Sequence, residues 1–440
     1  MKKQIIIQNK IKQFKKVITV SSDKSLSIRW AILASLAMGK SRAYNLLNSE
    51  DVLSTLKCLQ KLGVRISLKK KYCEINGVGL NGFKFKRNLK LNVGNSGTLG
   101  RLILALLIRS PFKIKLIGDR SLSKRDFLRV IEPLKKFGAK FYPKNKNKLP
   151  ILIQGSKVIK PINYLEKKGS AQVKSSIMLA ALNVDGKTII KAKKSRNHSE
   201  ILFKYLKIPI KIKSKKKLDI IEIKGGNSFK SFNYNLPADI SSSAFFIVLT
   251  LLSNKSSLII KNVNINPSRI GVVKILNMMN AKIIFKNKKI YKGERIANIH
   301  VKSSKLLKSI NCPVKFNSEA IDEFLIIFLA AAKAKGVSYF KDISELNQKE
   351  SPRLNWGSKI LNMMGIKTEL TKNSIRIYGN PNLEIKRIIT IKNYLKDHRI
   401  FMMCTIAALT CGGVWKINDK DSIKTSFPSF LKIIEKLNKK

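Results

Sequence analysis

The sequence has little of what ties a protein to a membrane, a metal or an oxidising compartment. It contains no stretch of about 18 uninterrupted apolar residues, so no membrane-spanning helix is expected. The opening MKKQIIIQNKIKQFKKVITV breaks its apolar residues with Lys and Gln, which leaves no signal-peptide core and reads as a short strand pair in a cytoplasmic protein. The five cysteines, Cys58, Cys73, Cys312, Cys404 and Cys411, are odd in number and never closer than seven positions. That spacing gives neither a CxxC metal knuckle nor a disulfide framework, so reduced thiols are expected. Of the three histidines, His198, His300 and His398, none has a second ligand nearby at metal spacing, and no bound metal is expected.

Acidic residues are also scarce. There are 26 Asp and Glu against 88 Lys and Arg, a net charge of +62. Such a balance can mark nucleic-acid or membrane-surface binding. Here Lys, Asn and Ile are abundant together, as a biased genome produces, and the lysine runs at 69–71, 144–148 and 215–217 fall between strand-like stretches, where hairpin loops would sit. Solvated surface charge is the favoured reading, with nucleic-acid contact and steering of anionic substrates as the others. The chain lacks an RNA-binding aromatic motif, a zinc finger and a heptad pattern.

What the chain does have is a repeat. At 440 residues and 44% apolar content it can fill two or three domains. One pattern recurs six times, opening at Ser25, Ser96, Ser170, Ser241, near Glu319 and at Asp397. Each copy has a polar opening, an apolar helix rich in small residues, a strand, a second helix ending near Gly, and closing strands. The first helix is apolar nearly all round and is expected to be buried, whereas the second carries a one-sided stripe. Six units most simply make two similar domains of three, with the switch near 236–241 where the third unit's strands end.

Helix N-termini carry unpaired N–H groups and positive potential, so these openings favour anions. Lys24, Ser25 and Arg29 sit at the first, with Ser25 and Arg29 one turn apart. Asn95, Ser96, Gly97 and Thr98 form the second, where Gly97 lets backbone approach a ligand. Ser170, Ala171 and Gln172 form the third, and Asp322 and the triplet Asp397, His398 and Arg399 open the fifth and sixth. Any one Ser or Asp here also reads as an ordinary N-cap. Lys24, Arg29 and Arg399 oppose the macrodipole and point to ligand contact. In the segment KESPR, Ser351 and Pro352 suit an N-cap and first helical residue, and Lys349, Glu350 and Arg353 form either a site or a solvated charge cluster.

The segments DKSLSIR, GNSGTLGR, SAQVKSS, SRNHSE, PADISSSAFF, NPSRIG, IDEF, KESPR, DHR and TSFPSF, in this order, resemble the signature blocks of the 5-enolpyruvylshikimate-3-phosphate synthase family. The resemblance implies an α/β fold, a two-domain inverse α/β barrel of six βαβαββ units. Domain I would hold residues 1–20 plus 241–440 and domain II residues 21–240, with the active site in the cleft between them. It implies transfer of the enolpyruvyl group of phosphoenolpyruvate to the 5-hydroxyl of shikimate 3-phosphate without a cofactor, by a cytoplasmic monomer. Lys24, Ser25, Arg29, Ser170, Ala171 (through its backbone), Gln172, Ser195, Asp322 and Lys349 would hold shikimate 3-phosphate. Lys24, Gly97, Arg125, Gln172, Arg353 and Arg399 would hold phosphoenolpyruvate. Asp322 would be the base, Glu350 the proton donor to the methylene carbon, and Lys24 a further catalytic group. Lys349 and Arg353 should lower the pKa of Glu350, against that role unless the bound dianion cancels them. Thr425 stands where part of the family has lysine, and the neighbouring Lys424 is left outside the site. Two alternatives stay open: the related enolpyruvyl transferase acting on UDP-N-acetylglucosamine, whose reactive cysteine has no counterpart in loop 121–125, and a basic nucleic-acid-binding protein on the same scaffold.

Overall fold

A helix made of small and apolar residues can hide every side but leaves its two ends to be satisfied. In the computed structural model, which describes residues 4–216 and 218–439, six helices of this kind are found. They are Lys24–Leu36, Gly97–Leu106, Ala171–Ala181, Ile240–Leu252, Phe324–Ala332 and His398–Cys411. All nine residues of Phe324–Ala332 and all fourteen of His398–Cys411 are buried. The second helices bury one face only, as in Leu128–Phe137, where Val130, Ile131, Pro133, Leu134 and Phe137 point inward. Gly63, Gly138 and Gly365 follow three of these second helices in the left-handed conformation.

Each repeat carries its own sheet, and the five four-stranded sheets share one order, the sixth repeat's having three strands among the described residues. In the second repeat Lys90–Asn92 runs parallel to Ile114–Ile117, which pairs antiparallel with Ile151–Gln154, and Lys140–Tyr142 lies outside that. The third repeats this with Asn163–Glu166, Lys187–Lys193, Leu218–Lys224 and Ile210–Ser214. The fifth does so with Leu307–Lys308, Ala334–Phe340, Ile375–Gly379 and Thr368–Leu370.

The other repeats borrow a strand, and here the structure corrects two expectations. The N-terminal strands Ile5–Ile7 and Lys15–Ile18 do not pair with each other. Ile5–Ile7 closes the sixth sheet against Gly412–Ile417, and Lys15–Ile18 runs parallel to Ser257–Asn264 in the fourth. The third unit's strands end at Lys224, and Tyr234–Asn235 instead opens the first sheet beside Met38–Tyr44. Alternation of apolar residues shows a strand but not its partner, which can lie hundreds of positions away.

The chain forms two units. One holds Ser22–Leu236 with Lys292–Glu294, and the other holds the residues up to Ser21, Pro237–Tyr291 and those from Arg295 onward. The lysine runs at 69–71 and 144–148 lie in hairpin loops, and 215–217 follows the strand Ile210–Ser214, with residue 217 outside the described residues.

The far ends of the first, third and fifth inner helices are met by a glycine at the end of the closing strand. A Cβ on Gly77 would stand 2.1 Å from the Ala37 carbonyl oxygen, one on Gly225 2.0 Å from that of Ala181, and one on Gly379 2.2 Å from that of Ala334. The absent side chain lets a following N–H reach the helix end. Gly226 N donates to Leu182 O at 3.0 Å and Asn380 N to Ala332 O at 2.8 Å, satisfying carbonyls that the helix leaves unpaired. Gly225→Ala is therefore expected to destabilise its unit by about 2 kcal/mol or more, read as a melting temperature lower by about 4 °C or more. A change within about 1 °C would remove this account of the glycine.

Candidate active site

In the unit built on Ser22–Leu236, side chains place the predicted residues at three helix openings. Asp23 caps the first inner helix by accepting from Leu26 N at 2.9 Å, which makes Lys24 the first helical residue and Ser25 the second. Lys24 Nζ pairs with Asp51 Oδ2 at 2.9 Å. The buried Arg29 donates through Nε to Ser199 Oγ and through Nη2 to Ser175 Oγ, both at 2.9 Å, and through Nη1 to the Ser25 carbonyl at 3.2 Å. Ser96 and Ser170 cap the second and third inner helices. Gly97 and Ala171 are thus first helical residues. Gln172 accepts from Arg101 Nη1 at 3.0 Å and donates to Thr98 Oγ1 at 3.1 Å, and Arg125 Nη2 donates to Asn95 Oδ1 at 3.0 Å. The Ser195 hydroxyl is buried with no hydrogen-bond partner among the described residues, an arrangement that a ligand oxygen would satisfy. Nearby in sequence, the buried Lys174 pairs with Glu200 at 2.5 Å and His198 Nδ1 lies 2.6 Å from Glu294 Oε1.

The other unit brings Asp322, Lys349, Glu350, Arg353 and Arg399 together. Arg353, with a side chain only 2% exposed, is the hub. Its Nε and Nη2 reach Asp397 at 2.8 and 3.1 Å, and Nη2 also pairs with Glu350. Its Nη1 faces Asp322 Oδ1 at 3.6 Å, has no hydrogen-bond partner among the described residues, and is left to meet a ligand oxygen. Lys349 Nζ stands 3.3 Å from the same Asp322 oxygen. Burial alone would lower the pKa of Arg353, but Asp397, Glu350 and Asp322 together raise it, so the guanidinium stays charged. Burial likewise pushes the Asp397 carboxyl upward, and the adjacent Arg353 outweighs it and holds the group below its usual range. Asp397 also caps the sixth inner helix by accepting from Arg399 N at 2.9 Å, while Arg399 Nη1 donates to the Asp322 carbonyl at 2.7 Å.

The cap before the outer helix Arg353–Met363 differs from the expectation. Pro352 occupies the cap position and Arg353 is the first helical residue. The Ser351 hydroxyl turns away to donate to Asp397 Oδ2 at 2.8 Å, because a buried carboxylate is the stronger acceptor. Likewise Asp239, not Ser241, caps the fourth inner helix. Thr425 lies 3.2 Å from His398 Nδ1, while Lys424 pairs with Asp421 on the surface. Asp51, Arg101, Glu323, Ser175 and Ser199 escaped the sequence reading. Only Arg101, one turn beyond Gly97, carried a local signal.

No group of three or more His, Cys, Asp or Glu suited to a metal ion occurs among the described residues. The cysteines are buried, which pushes the thiols of Cys58 and Cys73 up to about 12 and that of Cys312 up to about 11, and raises Cys404 and Cys411 too. None is a poised nucleophile. A surface depression lined in part by Met38, Leu80, Arg109, Asn183 and Asp185 lies at the opposite, carboxyl ends of three inner helices.

The family model described as EPSP synthase (3-phosphoshikimate 1-carboxyvinyltransferase) matches residues 8–434. The chain belongs to the EPSP synthase family. It is 41% identical over 419 residues to the 3-phosphoshikimate 1-carboxyvinyltransferase of Ruthia magnifica subsp. Calyptogena magnifica, covering 95% of this chain and 94% of that one. It is 38% identical to the protein of that name from Hydrogenovibrio crunogenus, over 94% of this chain and 93% of the other. Among solved structures, EPSP synthase from Acinetobacter baumannii superposes with a TM-score of 0.85 at 34% identity, covering 99% and 98% of the two chains. The enolpyruvyl transferase NikO from Streptomyces tendae shares the fold, with a TM-score of 0.77 at 14% identity over 99% and 98%. The fold of this EPSP synthase family member is accordingly the mixed α/β, two-domain inverse α/β barrel.

One variant probes the second opening. A Cβ on Gly97 would meet Arg101 Nη1 at 2.8 Å and Arg125 Nη1 at 3.0 Å. Alanine in a first helical turn is otherwise mildly stabilising, so Gly97→Ala should fold at least as well as the parent. The family resemblance implies phosphoenolpyruvate contacts for Gly97 and Arg125, and on that expectation displacing Arg125 should raise the KM for that substrate about tenfold or more. An unchanged KM would separate Gly97 from the site.

Proposed function

We propose that this chain transfers the enolpyruvyl group of phosphoenolpyruvate to the 5-hydroxyl of shikimate 3-phosphate and releases phosphate, in the shikimate pathway to the aromatic amino acids. The observation that carries the reading is the cluster of Asp322, Lys349, Glu350, Arg353 and Arg399 in a chain matched to this family over residues 8–434. Lys24, Gly97, Gln172, Arg125, Arg353 and Arg399 bind phosphoenolpyruvate. Lys24, Ser25, Arg29, Ser170, Ala171, Gln172, Ser195, Asp322 and Lys349 bind shikimate 3-phosphate. Guanidinium groups suit both anions because they pair with carboxylate and phosphate in bidentate fashion.

Asp322 takes the proton from the 5-hydroxyl as its oxygen bonds to the central carbon of phosphoenolpyruvate, and Glu350 gives a proton to the methylene carbon. Elimination reverses the second transfer as the bond to phosphate breaks, with Lys24 stabilising the departing charge. Glu350 is ion-paired with Arg353 in the free protein, and bound phosphoenolpyruvate supplies a competing anion for that guanidinium. The reading takes a cytoplasmic monomer with two small-molecule substrates, without metal, cofactor, nucleic acid or membrane.

The test is phosphate release with phosphoenolpyruvate plus shikimate 3-phosphate and, separately, plus UDP-N-acetylglucosamine. Release with the first pair alone is expected, and release only with the sugar nucleotide, or with neither, would overturn the reading. Glu350→Gln and Asp322→Asn should each keep the fold and lose about a hundredfold or more in turnover, the size expected for an acid or base. Near-normal turnover in either variant would take that residue out of the mechanism.

A further inference from the structure

Arg399 is backed by a carboxylate that the reaction does not use. Glu323 directly precedes the inner helix Phe324–Ala332, is 1% exposed, and makes no side-chain capping bond to that helix. Its Oε1 lies 3.6 Å from Arg399 Nη1, the nitrogen that also donates to the Asp322 carbonyl. The Ser241 hydroxyl donates to this same Oε1 and in turn accepts from Arg269 Nη2 at 2.7 Å. Arg269 Nη2 reaches Asp239 Oδ1 at 2.9 Å, and that oxygen also accepts from Ser241 N at 2.8 Å. A buried relay of Asp239, Arg269, Ser241, Glu323 and Arg399 therefore joins the openings of the fourth, fifth and sixth repeats.

Burying two cations and two carboxylates costs more than a carboxylate gains from the positive end of a helix, so helix stability does not account for Glu323. Orientation does. With Nη1 committed to the Asp322 carbonyl and Glu323, the Nε and Nη2 of Arg399 have no hydrogen-bond partner among the described residues and remain to grip an anion. We infer that Glu323 is a positioning residue that fixes the Arg399 guanidinium for phosphoenolpyruvate, with Ser241 and Arg269 fixing Glu323 in turn. The inference rests on the reading of Arg399 as a phosphoenolpyruvate contact.

Glu323→Gln keeps the shape and an acceptor for Ser241 while removing the charge, and Ser241→Ala removes the hydroxyl link. For Glu323→Gln the kcat/KM for phosphoenolpyruvate should fall about tenfold or more while the KM for shikimate 3-phosphate stays within about twofold. Ser241→Ala should lose less, and the double variant should be no worse than Glu323→Gln alone because both act through one link. A merely structural role would lower the melting temperature and weaken both substrates together. That pattern, an unchanged kcat/KM for phosphoenolpyruvate, or additive losses would overturn the inference. Should the parent protein show no turnover, the functional reading fails on its own. The thermal shift produced by phosphoenolpyruvate alone then decides, with a smaller shift in Glu323→Gln expected and equal or absent shifts overturning the inference.

Discussion

Everything in this fold follows from helices that are buried on all sides and must settle their ends. An inner helix such as His398–Cys411 has no face left for water. Its first N–H groups and last carbonyls are the backbone polar atoms that must find partners outside it. At the carboxyl ends of the first, third and fifth the closing strands answer with a glycine and a backbone donor. At the amino ends Asp23, Ser96, Ser170, Asp239 and Asp397 supply caps, and around those caps the charged residues gather. The same constraint that makes the repeat stable thus produces positive openings suited to phosphate and carboxylate.

Placing cations at helix openings runs against the helix dipole, and the structure sets a carboxylate or a hydroxyl acceptor beside each of them. Lys24 faces Asp51, Arg29 is held by Ser175 and Ser199, Arg353 by Asp397 and Glu350, and Arg399 lies beside Glu323. A buried guanidinium held by a carboxylate keeps its direction but not its full field, so an arriving anion trades partners with groups already in place. This compensated charge is of a different kind from the lysines of the hairpin loops, whose charge is carried in solvent and screened there.

The repeat, the buried inner helices and most cap residues were legible because each is written locally, in helical spacing and in Ser or Asp before an apolar run. Long-range pairings were not. Nothing near Lys24 announces Asp51, and nothing near Ser241 announces Glu323, since a side chain's partner across repeats depends on how helices pack rather than on spacing. Ser351 reads locally as a cap and serves Asp397 because a buried carboxylate outcompetes a backbone N–H. The glycines at 77, 225 and 379 were legible in principle, returning at about twice the period of the repeat. Their meaning needed the opposing helix ends.

The borrowed strands bear on how the chain is made. Ile5–Ile7 and Lys15–Ile18 leave the ribosome well before their partners, Gly412–Ile417 and Ser257–Asn264. At about 5 to 20 residues per second, the earliest strand waits roughly 20 to 80 s for its neighbour, with an open edge throughout. The Ser22–Leu236 unit can close during that interval, because it draws its own missing strand from Tyr234–Asn235 at its end. Synthesis therefore completes the middle of the sequence before the beginning, and the lysines flanking those first strands keep the waiting segment soluble.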